Sequence, residues 1–121
     1  MTKYPIKIKR IYEIPSAKDG TRILVDRLWP RGITKERAKI DYWYKEITPS
    51  NDLRKWFAHK EEKFKEFSRM YREELESQQV ILNQVRRMAD KKPVTLLYAA
   101  KDPKINHAIV LKEVLDGDKK Q

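Results

Sequence analysis

The segment from Arg22 to Gly32 reads RILVDRLWPRG, and it is the part of the chain from which the fold is best predicted. Its residues 23–25 are apolar on consecutive positions, which is typical of a strand covered on both faces inside a parallel sheet. Asp26 and Arg27 follow at the carboxyl end of that strand, and their side chains point to opposite faces. Each charged group therefore needs a partner of its own, because a half-buried unpaired charge is costly.

The end of the same segment predicts a turn and then a short helix. Pro30 forces the preceding residue toward extended backbone, and Gly32 permits a positive φ. Thr34 fits the N-cap of a helix over residues 35–39. A strand followed by a charged turn and a helix is the arrangement in which open α/β sheets form binding sites, so this segment is also the first candidate site.

The remaining apolar patterns predict further strands and helices. Strands are expected at residues 6–11, 40–47 and 94–100, and helices at 53–75, 79–90 and 103–116, with His59 as a candidate break within the first of these helices. The order of predicted strands and helices along the chain indicates an α/β fold, a three-layer domain with a mostly parallel central sheet flanked by helices. The length indicates a single domain over residues 1–121. The loop at residues 16–20 is short and polar, so the relative direction of the first two strands is left open.

The composition excludes several classes of protein. The chain has no cysteine, which removes disulfides and thiolate metal sites, and no apolar run approaches the length of a membrane-spanning helix. Two histidines, far apart in sequence, do not form a metal-ligand pattern, and three glycines are too few for the usual phosphate-binding loops. We therefore expect a soluble cytoplasmic protein with no cofactor, no metal and no membrane partner.

The net charge is strongly positive and unevenly distributed. The chain has 28 Lys and Arg against 18 Asp and Glu, a formal charge of +10. Residues 1–60 hold 15 basic and 7 acidic side chains, and residues 61–121 hold 13 and 11, so most of the excess lies in the strand-rich half. The excess favours either a surface or pocket that binds anions, or a solubilising charge on an ordinary small protein, and both interpretations stay open.

Two predicted strand ends carry charged turns, at residues 26–32 and 101–107. If both strands run in the same direction, these turns lie on one rim of the sheet, beside the amino end of the last helix, where an anion would be favoured. The candidate ligand-binding residues on this rim are Arg27, Trp29, Arg31, Lys101 and Asn106. The candidate catalytic residues, which would orient the site or transfer protons, are Asp26, Asp102 and His107.

The main candidates also have purely structural interpretations. Asp102 stands directly before Pro103, a typical pair for the N-cap and first position of a helix. His107 shares a face of the last helix with apolar residues, and an inward histidine is often a hydrogen-bonded packing residue. Arg27 must pair with either an internal carboxylate or a bound anion.

Four segments carry a family resemblance: residues 22–32 (RILVDRLWPRG), 41–50 (DYWYKEITPS), 53–59 (LRKWFAH) and 94–107 (VTLLYAAKDPKINH). Together they resemble the DUF488 family, in its short YeaO-like branch. The resemblance implies an α/β three-layer fold and no established activity. Longer relatives carry a Gly-His-Ser type motif on the first strand and a Cys-His-Arg type motif near the final helix. This chain has Arg-Ile-Tyr at residues 10–12 and Asn-His-Ala at 106–108, so only the histidine of the second motif is retained, at His107.

The sequence leaves three functional hypotheses. The first is an uncharacterised DUF488-like protein that binds a small anionic ligand, phosphorylated or nucleotide-like, in a pocket at the carboxyl rim of the sheet. The alternative is a non-catalytic nucleic-acid-binding protein that uses a diffuse basic surface, which predicts a steep salt dependence. The third is an interaction protein whose aromatic-rich helical stripe contacts a partner or a second copy of the chain. Whether the chain is an enzyme is left open.

Overall fold

The computed structural model describes residues 2–117, and within them the chain forms a parallel sheet surrounded by helices. The strands are β1 (Ile6–Arg10), β2 (Thr21–Leu24), β3 (Tyr42–Trp43) and β4 (Val94–Tyr98). The helices are α1 (Lys35–Ala38), α2 (Asn51–Phe57), α3 (Phe64–Leu75), α4 (Gln79–Met88) and α5 (His107–Leu115). A 3₁₀ turn at Ala17–Asp19, called the crossover turn below, joins β1 to β2.

The strand order is β1-β4-β2-β3, and every pair is parallel. The predicted α/β class with a parallel sheet is thus confirmed. The first two strands run in the same direction, and β4 lies between them and pairs with both. Because the strands are parallel, the turns that follow β2 and β4 lie at the same edge of the sheet.

The two faces of the sheet are covered very differently. The larger core contains inward residues of the strands, such as Ile23 and Leu96, packed against apolar residues of helices α2 to α5. A smaller cluster on the other face contains Leu24 and Leu97, with Ala38 of α1 above them. Burial on both faces explains why residues 23–25 and 96–98 are apolar on consecutive positions.

A row of polar side chains on the thinner face holds the crossover turn. Lys7, Thr95 and Arg22 are aligned across β1, β4 and β2 by the strand register. The Lys7 ammonium donates to the carbonyl of Lys18 at 2.6 Å, and the Thr95 hydroxyl donates to the carbonyl of Asp19 at 2.7 Å. These bonds satisfy backbone carbonyls of a loop that replaces the usual crossover helix, and the Asp19 carbonyl is buried.

Asp19 is the buried acid of this row. Its carboxylate accepts from the Arg22 guanidinium at 2.6 Å and from the Lys9 ammonium at 3.1 Å, and the Asp19 and Arg22 side chains are each only 6% exposed. Burial raises the pKa of Asp19, but hydrogen bonds from the backbone of Ser16 and from the two cations outweigh it, so the pKa lies below its ordinary value. The ion pairs therefore keep Asp19 charged inside the fold.

Two predicted elements are shorter than their sequence patterns indicate. The strand predicted at residues 40–47 contains only Tyr42–Trp43, because Lys45–Ile47 forms a 3₁₀ turn. The helical pattern over residues 53–75 is two helices, and α2 ends with Ala58 and His59 in left-handed backbone at φ 48° and 58°. The break at His59 is thus confirmed.

The last helix begins later than predicted. Asp102 was predicted as its N-cap, with Pro103 at the first helical position, and this is wrong. The helix starts at His107, and the side-chain oxygen of Asn106 accepts from the backbone N–H of Ile109 at 3.1 Å, which is the N-cap bond. The pattern misled because Asp-Pro is also a common start for an irregular turn.

None of the helices within residues 2–117 is both long enough and apolar enough to cross a membrane. The longest, α3, has 12 residues, and a spanning helix needs about 20 apolar residues. Its exposed side carries acidic and basic residues, with Arg69 paired to both Glu66 and Glu73.

Candidate functional site

The candidate site is a cavity at the carboxyl rim of the sheet, where the ends of β2 and β4 are joined. The Asp26 carboxylate accepts from the backbone N–H of Ala99 at 3.0 Å, so the two strand ends are fixed to each other. The cavity beside them has a volume of about 550 Å³, which is in the usual range for small-molecule sites. Six of the predicted site residues line it: Asp26, Arg27, Lys101, Asp102, Asn106 and His107.

His107 points back to the end of β2, as its position on the inner face of the last helix predicts. Its Nε2 lies 2.7 Å from the carbonyl oxygen of Val25, and because a carbonyl only accepts, Nε2 carries the hydrogen. The same nitrogen is 3.2 Å from Oδ1 of Asp26. The hydrogen is directed to the carbonyl, so Oδ1 is left buried without a hydrogen-bond partner among residues 2–117. The His107 ring is therefore held by its hydrogen bond to Val25, and the residue also lines the cavity.

Tyr71 supports His107 from the core. The two rings meet edge to face with their centroids 6.3 Å apart, and the Tyr71 hydroxyl donates to the carbonyl of Ile47 at 2.5 Å. Burial raises the pKa of Tyr71 well above its ordinary value, and the negative charges of Glu74 and Asp26 add to the increase. Tyr71 therefore acts as a neutral donor beneath the cavity and does not exchange protons with a ligand at neutral pH.

Replacing Tyr71 by phenylalanine is expected to lower the free energy of unfolding by about 1 kcal/mol at neutral pH, because one buried hydrogen bond is lost. Since the folded pKa of Tyr71 is raised, its neutral form favours the native state fully below about pH 10. That contribution is lost as the pH rises further and the unfolded chain ionises. Urea denaturation of wild type and variant at pH 7 and above pH 10 measures both effects. A difference that does not shrink at high pH would contradict the assignment.

Arg27 is held by backbone carbonyls. Its Nε donates to the carbonyl oxygen of Pro49 at 3.1 Å, and Nη2 is 3.5 Å from the carbonyl oxygen of Thr48. No carboxylate among residues 2–117 forms an ion pair with it, so the predicted internal carboxylate partner is not present there. The Arg27 guanidinium lies between the main cavity and a second one of about 250 Å³, which Glu46 and Glu74 also line.

The loop after β4 is shaped by its own polar side chains. The Asp102 carboxylate accepts from the backbone N–H groups of Lys104 and Ile105, at 2.8 and 3.1 Å. The Asn106 amide donates to the carbonyl of Asp102 at 2.8 Å and is almost fully buried. These bonds give Asp102 and Asn106 structural roles in the loop, whereas the side chain of Lys101 is exposed at the cavity.

Two predicted residues lie away from the cavity lining. The Trp29 indole N–H donates to the carbonyl of Ile33 at 2.6 Å, and its ring packs edge to face on Trp43 with centroids 5.4 Å apart. This contact belongs to the cluster on the thinner face of the sheet. Arg31 is exposed in the turn before α1, where its carbonyl accepts from the Tyr12 hydroxyl. The turn after Asp26 therefore divides its side chains between the two faces.

Residues of α2 and α3 that the sequence did not indicate complete the cavity. Arg54, Phe57 and His59 line it from α2 and the following corner, and Phe67 lines it from α3. Arg54 and Phe57 are three positions apart and so share a helix face. That spacing was the available signal, but nothing in the sequence indicated that this face of α2 meets the carboxyl rim.

Within residues 2–117, no three His, Asp or Glu side chains are grouped so that they could hold a metal ion. Asp26 and His107 are neighbours, but each already has a backbone partner. The cavity lining combines three cationic side chains with two carboxylates and aromatic carbon.

Comparison with known proteins gives a consistent picture. Residues 5–121 match the family model DUF488-N3i, described as the inactive DUF488-N3 subclade. The chain is similar to the uncharacterized protein YeaO of Escherichia coli strain K12, with 46% identity over 110 residues, which covers 91% of this chain and 96% of that protein. It is also similar to the uncharacterized protein Rv3073c of Mycobacterium tuberculosis, with 38% identity over 112 residues, covering 93% and 94%. No solved structure matches.

Proposed function

The chain belongs to the DUF488 family, in the subclade described as inactive, and from this premise we propose that it is a non-catalytic protein that binds a small anion in the rim cavity. The observation that supports this is a cavity of about 550 Å³ with cationic side chains on two sides. Lys101 lies in the loop after β4 and Arg54 lies on α2, and both line the cavity. The positive charge of Arg27 adds to the field at the same rim.

A phosphorylated or nucleotide-like ligand is the class that fits this proposal. Arginine binds phosphate and carboxylate through a planar pair of N–H donors, and lysine contributes a point charge. The cavity is large enough for such a molecule, and its apolar lining would exclude water around the bound charges.

The acidic and imidazole groups have an orienting role in this proposal. Asp26 is bound to the Ala99 N–H and His107 to the Val25 carbonyl, so both are held by the fold. In this proposal, the hydrogen bonds of Asp26, Asp102 and His107 fix the shape of the rim, in line with the description of the subclade as inactive.

The proposal is tested by titrating ¹⁵N-labelled protein with inorganic phosphate and a sugar phosphate while amide chemical shifts are followed. Shifts are expected at residues 26–28, 54–59 and 99–107. Arg54→Gln should weaken binding about tenfold, because a hydrogen bond between charged groups is lost, and Lys101→Gln severalfold, since that side chain is exposed.

Lys104→Gln is the matched control, because Lys104 is an exposed lysine of the same loop that does not line the cavity. It should leave the affinity close to that of wild type. Equal losses in Lys101→Gln and Lys104→Gln would show that only the general positive field attracts the anion, and the proposal would then fail.

The nucleic-acid hypothesis has less support, because several cations of the basic half are engaged within the fold. Lys7, Lys9 and Arg22 contact the crossover turn, and Arg10 donates to the carbonyl of Ala100 at 2.9 Å. A polyanion surface needs such groups to be free to reach phosphates. Oligonucleotide affinity with a steep salt dependence and shifts spread over β1 would reverse this preference.

A further inference from the structure

Two buried polar atoms point to the chemistry of the ligand. Within residues 2–117, Oδ1 of Asp26 and Nε of Arg54 are the buried side-chain atoms that have no hydrogen-bond partner. Both residues line the rim cavity, although they come from different elements, the end of β2 and helix α2. Buried polar groups are normally satisfied, so two unsatisfied groups of opposite type in one cavity call for a partner with two functions.

Arg54 calls for an acceptor. Its Nη2 donates to the side-chain oxygen of Asn51 at 3.2 Å, and its Nε–H has no acceptor. The side chain is half-buried, so a change of rotamer can turn the guanidinium edge toward a carboxylate or phosphate. The anionic group of the ligand belongs at this end of the cavity.

Asp26 calls for a donor. Its Oδ2 is bound to the Ala99 N–H, and the hydrogen on His107 is directed to the Val25 carbonyl. A carboxylate oxygen only accepts, so what satisfies Oδ1 must carry a hydroxyl or N–H group. Oδ1 is buried, so the carboxylate would have to rotate for a ligand in the cavity to reach it. The negative charge of Asp26 would repel an anionic group. The anionic end of the ligand should therefore lie toward Arg54 and its donor group toward Asp26.

Apolar side chains also line this cavity. Phe57 and Phe67 are stacked with ring centroids 4.2 Å apart, and both contribute to the lining. Leu28 lies at the same cavity with 64% of its surface exposed. A flat apolar body bound beside it would remove that surface from water.

Resting on the proposed function, we propose that the ligand is a small organic acid with a flat apolar body, an anionic group bound by Arg54 and a hydroxyl or amino group donating to Asp26. The combination is more selective than charge alone. An anion without the donor leaves Oδ1 unsatisfied, and a neutral alcohol leaves Arg54 unsatisfied.

The test compares benzoate with 3- and 4-hydroxybenzoate, 4-methoxybenzoate and 4-hydroxybenzyl alcohol, by the same amide-shift titration. The two isomers allow for the spacing between the anchoring groups, and the methoxy compound retains the oxygen without its hydrogen. At least one hydroxybenzoate should bind about tenfold more tightly than benzoate and the methoxy compound, and the alcohol should bind as weakly as benzoate or more weakly. In Asp26→Asn, the hydroxybenzoates should bind no more tightly than the methoxy compound. The amide oxygen keeps the bond to the Ala99 N–H, so the NH₂ group takes the place of Oδ1 and cannot accept a hydrogen from the hydroxyl.

Asp52→Asn removes an exposed acid of α2 that does not line the cavity, and it should retain the hydroxyl advantage. If Asp26→Asn does not fold, the wild-type comparison of hydroxyl with methoxy compounds decides the question alone. Equal affinity for benzoate and every hydroxybenzoate, with shifts at the cavity, would overturn this inference and leave the anion site standing. No cavity shifts with any anion, phosphate included, would overturn both.

Discussion

Replacing Asp19 by asparagine is expected to lower the free energy of unfolding by about 3–5 kcal/mol, because it leaves two cations next to a neutral group inside the fold. Arg22 has a side chain only 6% exposed and also donates to the carbonyl of Ala38 at 2.7 Å, so it cannot move into water without losing those bonds. Lys9 is partly buried beside it. Urea denaturation followed by circular dichroism measures the loss.

Asp116→Asn provides a control of equal chemistry at the surface. Asp116 pairs with Lys112 one helical turn away, and both side chains are about a third exposed. Loss of that pair should cost less than about 1 kcal/mol. Similar losses in the two variants would mean that burial of the Asp19 cluster contributes nothing to stability.

The pH dependence provides a second check on Asp19. Its folded pKa is lowered, so its stabilising effect is fully present above the unfolded value of about 3.9 and is lost as the pH falls through the folded value. The difference between wild type and Asp19→Asn should therefore be constant near neutrality and shrink below about pH 4. A difference that grows on acidification would contradict the lowered pKa.

Replacing Gly20 by alanine should be at least as damaging, with a loss of about 4 kcal/mol from backbone strain and overlap together. Gly20 has φ 66° and ψ −132°, a backbone region that essentially only glycine adopts. A Cβ atom there would lie 2.0 Å from the carbonyl oxygen of Pro93, and this oxygen also accepts from the backbone N–H of Thr21. The contact joins the end of the crossover turn to the start of β4, so neither side can move freely.

Gly32→Ala separates the cost of backbone strain from the cost of atomic overlap. Gly32 also has a positive φ, 77°, but an added Cβ would meet nothing within 4 Å. It should therefore lose only about 1–2 kcal/mol of conformational strain. Thermal denaturation of both variants measures the difference, and equal shifts would show that the Pro93 contact is not important.

The sequence was sufficient for the class of fold and for the family. Apolar runs at residues 23–25 and 94–100 indicated buried strands, and the structure has parallel strands at Thr21–Leu24 and Val94–Tyr98. The resemblance to DUF488 is confirmed by a match over residues 5–121. These results depend on local patterns, which a chain displays wherever it folds.

The crossover turn could not be predicted, because it depends on side chains from three strands. Lys7 and Lys9 lie on β1, an edge strand of the sheet, where lysines commonly serve only to protect the edge. Their ammonium groups nevertheless bind the crossover turn and the loop before it. Only the three-dimensional register of β1, β4 and β2 brings those groups together.

Only part of the cavity lining was predicted from the sequence. Asp26, Lys101 and His107 follow strand ends, and the rule that parallel strands share a carboxyl edge was enough to bring them together. Arg54 and Phe57 come from a helix whose packing angle has no local signal in the sequence. The Trp29 side chain lies on the thinner face of the sheet, where its indole N–H donates to the Ile33 carbonyl.

The position of β4 between β1 and β2 also determines when the sheet can form during protein synthesis. Both early strands hydrogen-bond to β4, and β4 begins only at Val94. A growing chain therefore carries two β-prone segments without their native neighbour until residues 94–98 have left the ribosome. Such non-local pairing makes folding slow, because long loops must close before contacts form. Until then, the edges of β1 and β2 that will pair with β4 are without their partner, and unpaired strand edges make a chain prone to aggregate.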